Sequence, residues 1–177
     1  ICEADKENGR LRIVYRIAGA GTKEFSAYKE GDTLDIMGPL GNGFPLKKKK
    51  AFLIGGGIGI PPMLELAKNL DCEKTAVIGY RDKETFLADE LRKYADVVIA
   101  TEDGSVGTKG NVIDAIRAEK LTADIIYACG PTPMLKALKA YAMENGIECY
   151  ISLEEKMACG IGACLGCVCH SKDIDEH

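Results

Sequence analysis

The chain has 177 residues, of which 46% are hydrophobic and 28% are charged, and its formal net charge is −4. This is enough apolar sequence to bury the core of one or two domains, whereas the acidic balance and the lack of a basic stripe argue against a nucleic-acid partner. No apolar run approaches the ~20 residues of a transmembrane helix and neither end carries a targeting pattern, so the eight cysteines predict metal or redox chemistry in the cytoplasm rather than disulfides.

The first segment predicts part of a small antiparallel β-domain. Residues 11–18 are rich in β-forming side chains and predict a strand, a short helical piece follows near residues 24–28, and residues 31–37 predict a turn and another strand. We expect further strands of this domain upstream of Ile1. The chain lacks an initiator methionine and ends eight residues after Cys169, so we expect it to be a fragment cut at both ends.

From residue 51 the pattern changes to short apolar strands that alternate with amphipathic helices, which predicts a parallel sheet with helical crossovers. The preceding lysines, residues 47–50, predict a solvated linker. The candidate strands are residues 51–54, 75–79, 97–101, 125–129 and 148–153. The candidate helices are residues 62–70, 83–94, 112–119 and 133–145. We therefore predict three regions: a partial β-domain in residues 1–46, an α/β domain in residues 47–152 and a cysteine loop in residues 153–177.

Two loops follow buried strands of this predicted sheet. The first carries Gly55, Gly56, Gly57 and Gly59 between a strand and a helix start, where glycines allow a pyrophosphate to approach backbone N–H groups. The second begins at Cys129 and continues as Gly130-Pro131-Thr132-Pro133-Met134. Read alone, the second loop also fits a packed cysteine and a helix cap by Thr132. Because the carboxyl ends of parallel strands bind ligands in open α/β folds, the pair predicts a nucleotide site.

The cysteine loop carries Cys159, Cys164 and Cys167 in the C-x4-C-x2-C spacing of a plant-type [2Fe–2S] site. The intervening glycines, at positions 160, 162 and 166, permit the tight turns that such a loop needs. Zinc bound by thiolates and disulfides are alternatives, but a second C-x2-C arm is missing and cytosolic thiols stay reduced. We expect Cys169 to be a neighbour of the cluster and the two histidines to lie on the surface.

The two nucleotide loops resemble the G-G-G-x-G-x-x-P and C-G-P-x-x-M motifs of the ferredoxin–NADP⁺ reductase superfamily. This resemblance implies that the Cys129 thiol lies near the nicotinamide carbon that exchanges hydride. It also implies FAD contacts in the G-x-G-T and G-P-L-G-N-G-F segments. The residues so implied for FAD are Gly19, Gly21, Thr22, Gly41 and Asn42. Those implied for NAD are Gly55, Gly56, Gly57, Gly59, Gly130, Pro131 and Met134.

The order of these motifs, together with E-D-G-S-V-G and E-E-K-M-A-C-G-I-G-A-C-L-G-C-V-C, resembles the electron-transfer subunits of type B dihydroorotate dehydrogenases over essentially the whole chain. The resemblance implies that electrons pass from an FMN-containing catalytic subunit through the [2Fe–2S] cluster and FAD to NAD⁺ in pyrimidine biosynthesis. It further implies a heterotetramer without nucleic acid or membrane. Arg81 would suit a 2′-phosphate and Asp82 a ribose hydroxyl, so NAD rather than NADP rests on the resemblance.

Two parts of that family pattern are missing. Its R-x-x-S flavin motif would fall before Ile1, and its fourth cluster cysteine would fall beyond His177. The alternatives are a subunit of another flavin and iron–sulfur reductase, such as a sulfhydrogenase or an NADH-dependent ferredoxin:NADP⁺ oxidoreductase, and, from a different class, a zinc-bearing binding module.

Overall fold

The structure, a computed structural model, describes residues 1–155 and 157–168. Strands β1 (Glu3–Asp5) and β2 (Arg10–Arg12) form an antiparallel pair, and helix α1 covers Ala20–Phe25. The predicted strands at residues 11–18 and 31–37 are therefore wrong beyond Arg12. A strand needs a neighbour for its backbone hydrogen bonds, and in the described part of the chain only β1 pairs with this segment. The predicted helical piece begins earlier than expected, at Ala20.

The α/β part forms the predicted parallel sheet, which has six strands where five were predicted. Its strands, in the spatial order β6-β5-β4-β3-β7-β8, are β3 (Ala51–Gly56), β4 (Lys74–Tyr80), β5 (Asp96–Thr101), β6 (Thr108–Lys109), β7 (Ile125–Cys129) and β8 (Glu148–Ser152). Its helices are α2 (Ile60–Asn69), α3 (Ala88–Leu91), α4 (Val112–Ala118) and α5 (Thr132–Asn145). Within the described residues, no helix has both the length and the apolar character to cross a bilayer.

Three helices differ from expectation. The predicted helix over residues 83–94 is confined to α3, because Leu87 has a left-handed φ of 65° that interrupts helical geometry just before Ala88. Thr132 is the first residue of α5 rather than its cap, and Pro131 occupies the cap position. Helix α2 begins at Ile60, two residues before the predicted start, and Pro61 and Pro62 lie in its first turn, where no intrahelical N–H is needed.

Both faces of the sheet are covered, and strand alternation decides which residues face which layer. Helices α2 and α3 cover one face together with parts of the N-terminal segment, including Val14 and Phe44. Helices α4 and α5 cover the other face. In β7, Tyr127 and Cys129 point to the first face, whereas Ala128 points to the second. We call the first the α2 face and the second the α5 face.

The N-terminal segment is much less buried than the sheet. Cys2 is fully buried, but large apolar side chains from β2 to Leu46 remain exposed, with Ile36 at 61% and Met37 at 72%. Contacts with the sheet layer include the Arg12–Glu90 and Lys68–Glu3 ion pairs. The segment therefore lacks a core of its own within the described residues.

Candidate nucleotide site and cysteine loop

The topological switch point of the sheet lies between β3 and β7. The chain leaves β3 toward β4 on one side and returns to β7 on the other, so these parallel neighbours send their crossover helices to opposite faces. Ligands of open α/β sheets bind at the carboxyl ends of the strands at such a point. Both predicted nucleotide loops start here, because Gly56 ends β3 and Cys129 ends β7.

The two loops are in contact through backbone. A Cβ atom at Gly59 would lie 2.1 Å from the Cys129 carbonyl oxygen and 2.7 Å from the Gly130 nitrogen, so no side chain fits there. A Cβ at Gly56 would lie 2.9 Å from the Met134 sulfur. Gly59 is thus required by packing, whereas a side chain at Gly56 would displace Met134. The two loops form one cradle whose edges are the starts of α2 and α5.

The remaining predicted residues of this cradle have different environments. Gly57 has a left-handed φ of 54° and open space around its Cα, as suits a backbone that an anion approaches. Gly55 is buried against Ile60. Pro131 is exposed at the rim. This arrangement of backbone at two helix starts, with room only for glycine between them, fits the pyrophosphate and nicotinamide of a dinucleotide.

Cys129 is 6% exposed and faces the α2 side of the sheet. Burial raises the pKa of its thiol, which the neighbouring Ser152 hydroxyl lowers in part, so the thiol stays neutral near pH 7. Sequence reasoning passed over Ser152, although it stands opposite Cys129 in the β7–β8 register. Ser152 could have been found because Cys129 ends one predicted strand and Ser152 lies one residue before the end of another, and the carboxyl ends of adjacent parallel strands lie side by side.

The loop after β4 carries Arg81 and Asp82, which were predicted to suit a 2′-phosphate and a ribose hydroxyl, respectively. Asp82 accepts a hydrogen bond from the Glu84 N–H at 2.9 Å, and both Arg81 and Asp82 are exposed. Next to them, the Glu102 and Asp103 N–H groups donate to the Tyr80 and Arg81 carbonyls at 3.2 and 3.3 Å. The E-D-G-S-V-G segment is therefore fixed against the end of β4.

In the segment predicted to contact FAD, Thr22 closes the first turn of α1. Its hydroxyl accepts hydrogen bonds from the Ala18 and Gly19 N–H groups at 2.9 and 3.1 Å and donates to the Gly19 carbonyl at 3.1 Å. Gly21, Gly41 and Asn42 are exposed, and Gly41 has a φ of 75°. Hydrogen bonds join Gly19 to Thr22, whereas none joins either residue to Gly41 or Asn42.

Residues 157–166 of the cysteine loop are exposed, and their backbone bends around the first sulfur. Gly160, Gly162 and Leu165 have positive φ, and the Cys164 N–H donates to the Cys159 Sγ at 3.5 Å. This hydrogen bond and one from the Ile161 N–H lower the pKa of Cys159 to about 6, favouring the thiolate that a metal requires. Among residues 1–155 and 157–168, no three His, Cys, Asp or Glu side chains are grouped closely enough to hold a metal ion. Cys169 and both histidines lie outside the described residues.

The chemistry of this loop suits an iron–sulfur cluster. Its described residues offer three thiols, of which that of Cys159 is favoured as thiolate, in a backbone with two left-handed glycines. The four lysines of residues 47–50, predicted to be a solvated linker, are exposed or half-buried, and each also forms an ion pair. Lys47 and Lys49 both bind Glu148, Lys48 binds Asp71 and Lys50 binds Glu73.

Comparison with known families agrees with these two sites. Residues 154–176 match the iron–sulfur cluster binding domain of dihydroorotate dehydrogenase B, and residues 53–140 match an oxidoreductase NAD-binding domain. The chain is 34% identical to the NADH-dependent reduced ferredoxin-NADP oxidoreductase, a flavin-based electron-bifurcating enzyme, with a TM-score of 0.86 over 94% of this chain and 63% of that one. A flavohemoglobin from Malassezia yamatoensis with bound FAD, 22% identical with a TM-score of 0.64 over 79% of this chain and 42% of that one, shares the fold.

Curated relatives are more similar still. The dihydroorotate dehydrogenase B (NAD⁺) electron transfer subunit of Caldanaerobacter subterraneus is 47% identical over 96% of this chain and 69% of its own length. That of Fusobacterium nucleatum is 47% identical over the whole of this chain and 72% of its own length. Identity at this level, over nearly all residues, confirms the resemblance inferred from the motifs, along with its FAD, [2Fe–2S] and NAD cofactors. The chain belongs to the family of dihydroorotate dehydrogenase B (NAD⁺) electron transfer subunits, which are oxidoreductase subunits.

Proposed function

We propose that this chain passes electrons from an FMN-containing dihydroorotate dehydrogenase subunit, through a [2Fe–2S] cluster and FAD, to NAD⁺. The observation that carries the proposal is the cradle at the β3–β7 switch point, where Gly59 packs against the Cys129 carbonyl at the end of β7. A nucleotide cradle and a cysteine loop on consecutive stretches of one chain suit two carriers that exchange electrons. The names of the curated relatives support the dihydroorotate substrate and the catalytic partner.

The residues proposed for NAD are those of the cradle, namely Gly55, Gly56, Gly57, Gly59, Cys129, Gly130, Pro131 and Met134. The open backbone at Gly57 and the N–H groups at the start of α2 would bind the pyrophosphate. The neutral thiol of Cys129 would press against the nicotinamide without placing a charge beside it. Because it is buried, the thiol also keeps water from that edge of the ring.

The residues proposed for FAD are Gly19, Gly21, Thr22, Gly41 and Asn42, and those proposed for the cluster are Cys159, Cys164 and Cys167. When bound, the flavin exchanges electron pairs for single electrons, and the cluster carries the single electrons. The N–H groups of Cys164 and Ile161 would stabilise the Cys159 thiolate toward iron. We also propose the boundaries 1–46, 47–152 and 153–177 for the three regions, and a cytoplasmic location, where free thiols persist.

The test uses the full-length protein, purified anaerobically together with its candidate partner. We expect flavin and [2Fe–2S] absorption bands, iron with acid-labile sulfide, and dihydroorotate-dependent reduction of NAD⁺. The Cys159→Ser variant should lose the iron and the sulfide, whereas the matched Cys149→Ser variant, on the α5 face of β8, should keep both. A colourless protein that binds zinc would overturn the proposal.

A second candidate is supported by the 34% identity to the ferredoxin-NADP oxidoreductase. In that case the same cradle and loop would exchange electrons with ferredoxin rather than with a dihydroorotate-oxidising subunit. Supplying each electron donor in turn to the same preparation, and measuring the rate of NADH formation, separates the two candidates.

A further inference from the structure

Tyr127 lies in the middle of β7 and is fully buried. Its hydroxyl forms hydrogen bonds with the segment that precedes the sheet. The hydroxyl donates to the Pro45 carbonyl at 2.7 Å and accepts from the Lys47 N–H at 3.3 Å. Both partners are backbone groups of one short stretch, 80 and 82 residues away along the chain. The tyrosine thus holds residues 45–47 at a fixed height along β7.

Aromatic packing supports the same attachment. The Phe44 ring meets the Tyr127 ring edge-on with centroids 5.5 Å apart, and Tyr150 of β8 stacks on Tyr127 at 5.8 Å. The Lys47 ammonium lies 5.0 Å from the centre of the Tyr150 ring and pairs with Glu148. We call Phe44, Lys47, Tyr127, Glu148 and Tyr150 the β7 clasp.

The clasp and the nicotinamide edge of the cradle lie on one face of the sheet. Tyr127 and Cys129 are two residues apart in β7, so both side chains point to the α2 face. Phe44 packs on this same face and ends the G-P-L-G-N-G-F segment, whose Gly41 and Asn42 are proposed for FAD. Strand β7 therefore carries both the Cys129 thiol and Tyr127, which binds the end of the segment of residues 38–47. We call this segment the flavin-side segment.

We propose that Tyr127 is a positioning residue, whose hydroxyl holds residues 45–47 so that the flavin-side segment stays aligned with Cys129. The inference rests on the proposed function. Packing alone does not explain the hydroxyl, because phenylalanine would fill the same volume. A buried hydroxyl must have hydrogen-bond partners, and here both belong to the connecting segment. Its removal should loosen that segment while leaving the ring, the sheet and the cradle in place.

The experiment compares Tyr127→Phe with Tyr141→Phe in the full-length protein assembled with its partner. Tyr141 is the matched control, because it is a partly buried tyrosine of α5 on the opposite face. We measure the rate of flavin reduction by NADH in stopped flow, the affinity for NADH, the flavin content and the amide hydrogen exchange of residues 44–47. For Tyr127→Phe we expect flavin reduction to slow roughly tenfold, since small misplacements of reacting groups cost up to about 10² in rate.

We also expect faster exchange at the Lys47 amide, with flavin content and NADH affinity unchanged and with Tyr141→Phe like the wild type. An unchanged reduction rate would overturn the inference. Loss of flavin or of NADH affinity would overturn it too, because Tyr127 would then serve stability instead of alignment. If NADH fails to reduce the flavin of the wild-type protein, the proposed function itself is wrong, which is a distinguishable result.

Discussion

At the carboxyl end of the sheet, two glycine loops touch through their backbones, whereas at the amino end four lysines form ion pairs with acidic side chains on the surface. A Cβ at Gly59 would lie 2.1 Å from the Cys129 carbonyl oxygen, so the contact between the two glycine loops leaves no room for a side chain. By contrast, Lys48 and Asp71 pair at 2.9 Å while their side chains are 80% and 87% exposed. The carboxyl end depends on close packing, which leaves no room for an added atom. The amino end depends on ion pairs screened by water, so substitutions there should cost little stability.

The largest effect should follow from Gly59→Ala. The added methyl must displace the Cys129 carbonyl, and overpacking of this kind costs about 3 kcal/mol. We expect a lower urea midpoint of unfolding and the loss of NAD⁺ binding. The matched control is Gly43→Ala, where a Cβ meets nothing within 4 Å. A Gly59→Ala protein as stable as this control would show that the two loops separate freely.

The next effect should follow from Cys129→Ala. We expect flavin reduction by NADH to slow roughly tenfold, equivalent to about 1.4 kcal/mol in the barrier, because the thiol would no longer support the nicotinamide. Because burial raises the pKa of this thiol, the wild-type rate should show no thiol inflection between pH 6 and 8. Cys149→Ala, on the opposite face, is the control. Equal rates for both variants would contradict a role for Cys129 at the ring.

A smaller effect is expected at the amino end, from Glu148→Gln. Lys47, Lys49 and Tyr150 lower the pKa of Glu148 from 4.5 to about 2. A depressed carboxyl pKa stabilises the folded state above the unfolded pKa, and this contribution is lost as the pH falls from 4.5 toward 2. The thermal midpoint of the wild type should therefore decline more steeply over this window than that of Glu148→Gln. Parallel declines would show that the ion pairs contribute nothing.

The smallest effect should follow from Lys48→Ala, which removes an ion pair between two largely exposed side chains. Such pairs are screened by water and salt, and many contribute nothing measurable. We expect an unchanged midpoint of urea unfolding. A clear loss of stability would show that folding is as sensitive to substitution at the amino end of the sheet as at the carboxyl end.

The difference between these ends also explains what the sequence could predict. Residues 125–129 form a strand with the predicted bounds, because short buried apolar runs and glycine turns are local signals. The switch-point cradle was predictable for the same reason. Strand β6 was not predictable, since Thr108 and Lys109 carry no apolar pattern. They pair with β5 beside Gly107, which lies close to the Ile99 backbone.

Features that depend on distant partners were beyond sequence reasoning. The strands predicted in the N-terminal segment required neighbours that the described residues do not supply. The lysines of residues 47–50 look like a linker until Glu148, about 100 residues away, is placed beside two of them. The Tyr127 hydroxyl gave no signal at all, because nothing local distinguishes a core tyrosine from one that binds a remote backbone.

The two-residue spacing of Tyr127 and Cys129 has a consequence for how this enzyme family can vary. A strand presents successive side chains on alternate sides, so one residue inserted or deleted between them would send one toward α2 and the other toward α5. Insertions and deletions should therefore occur in the loops, whereas the spacing of two residues between Tyr127 and Cys129 should stay constant.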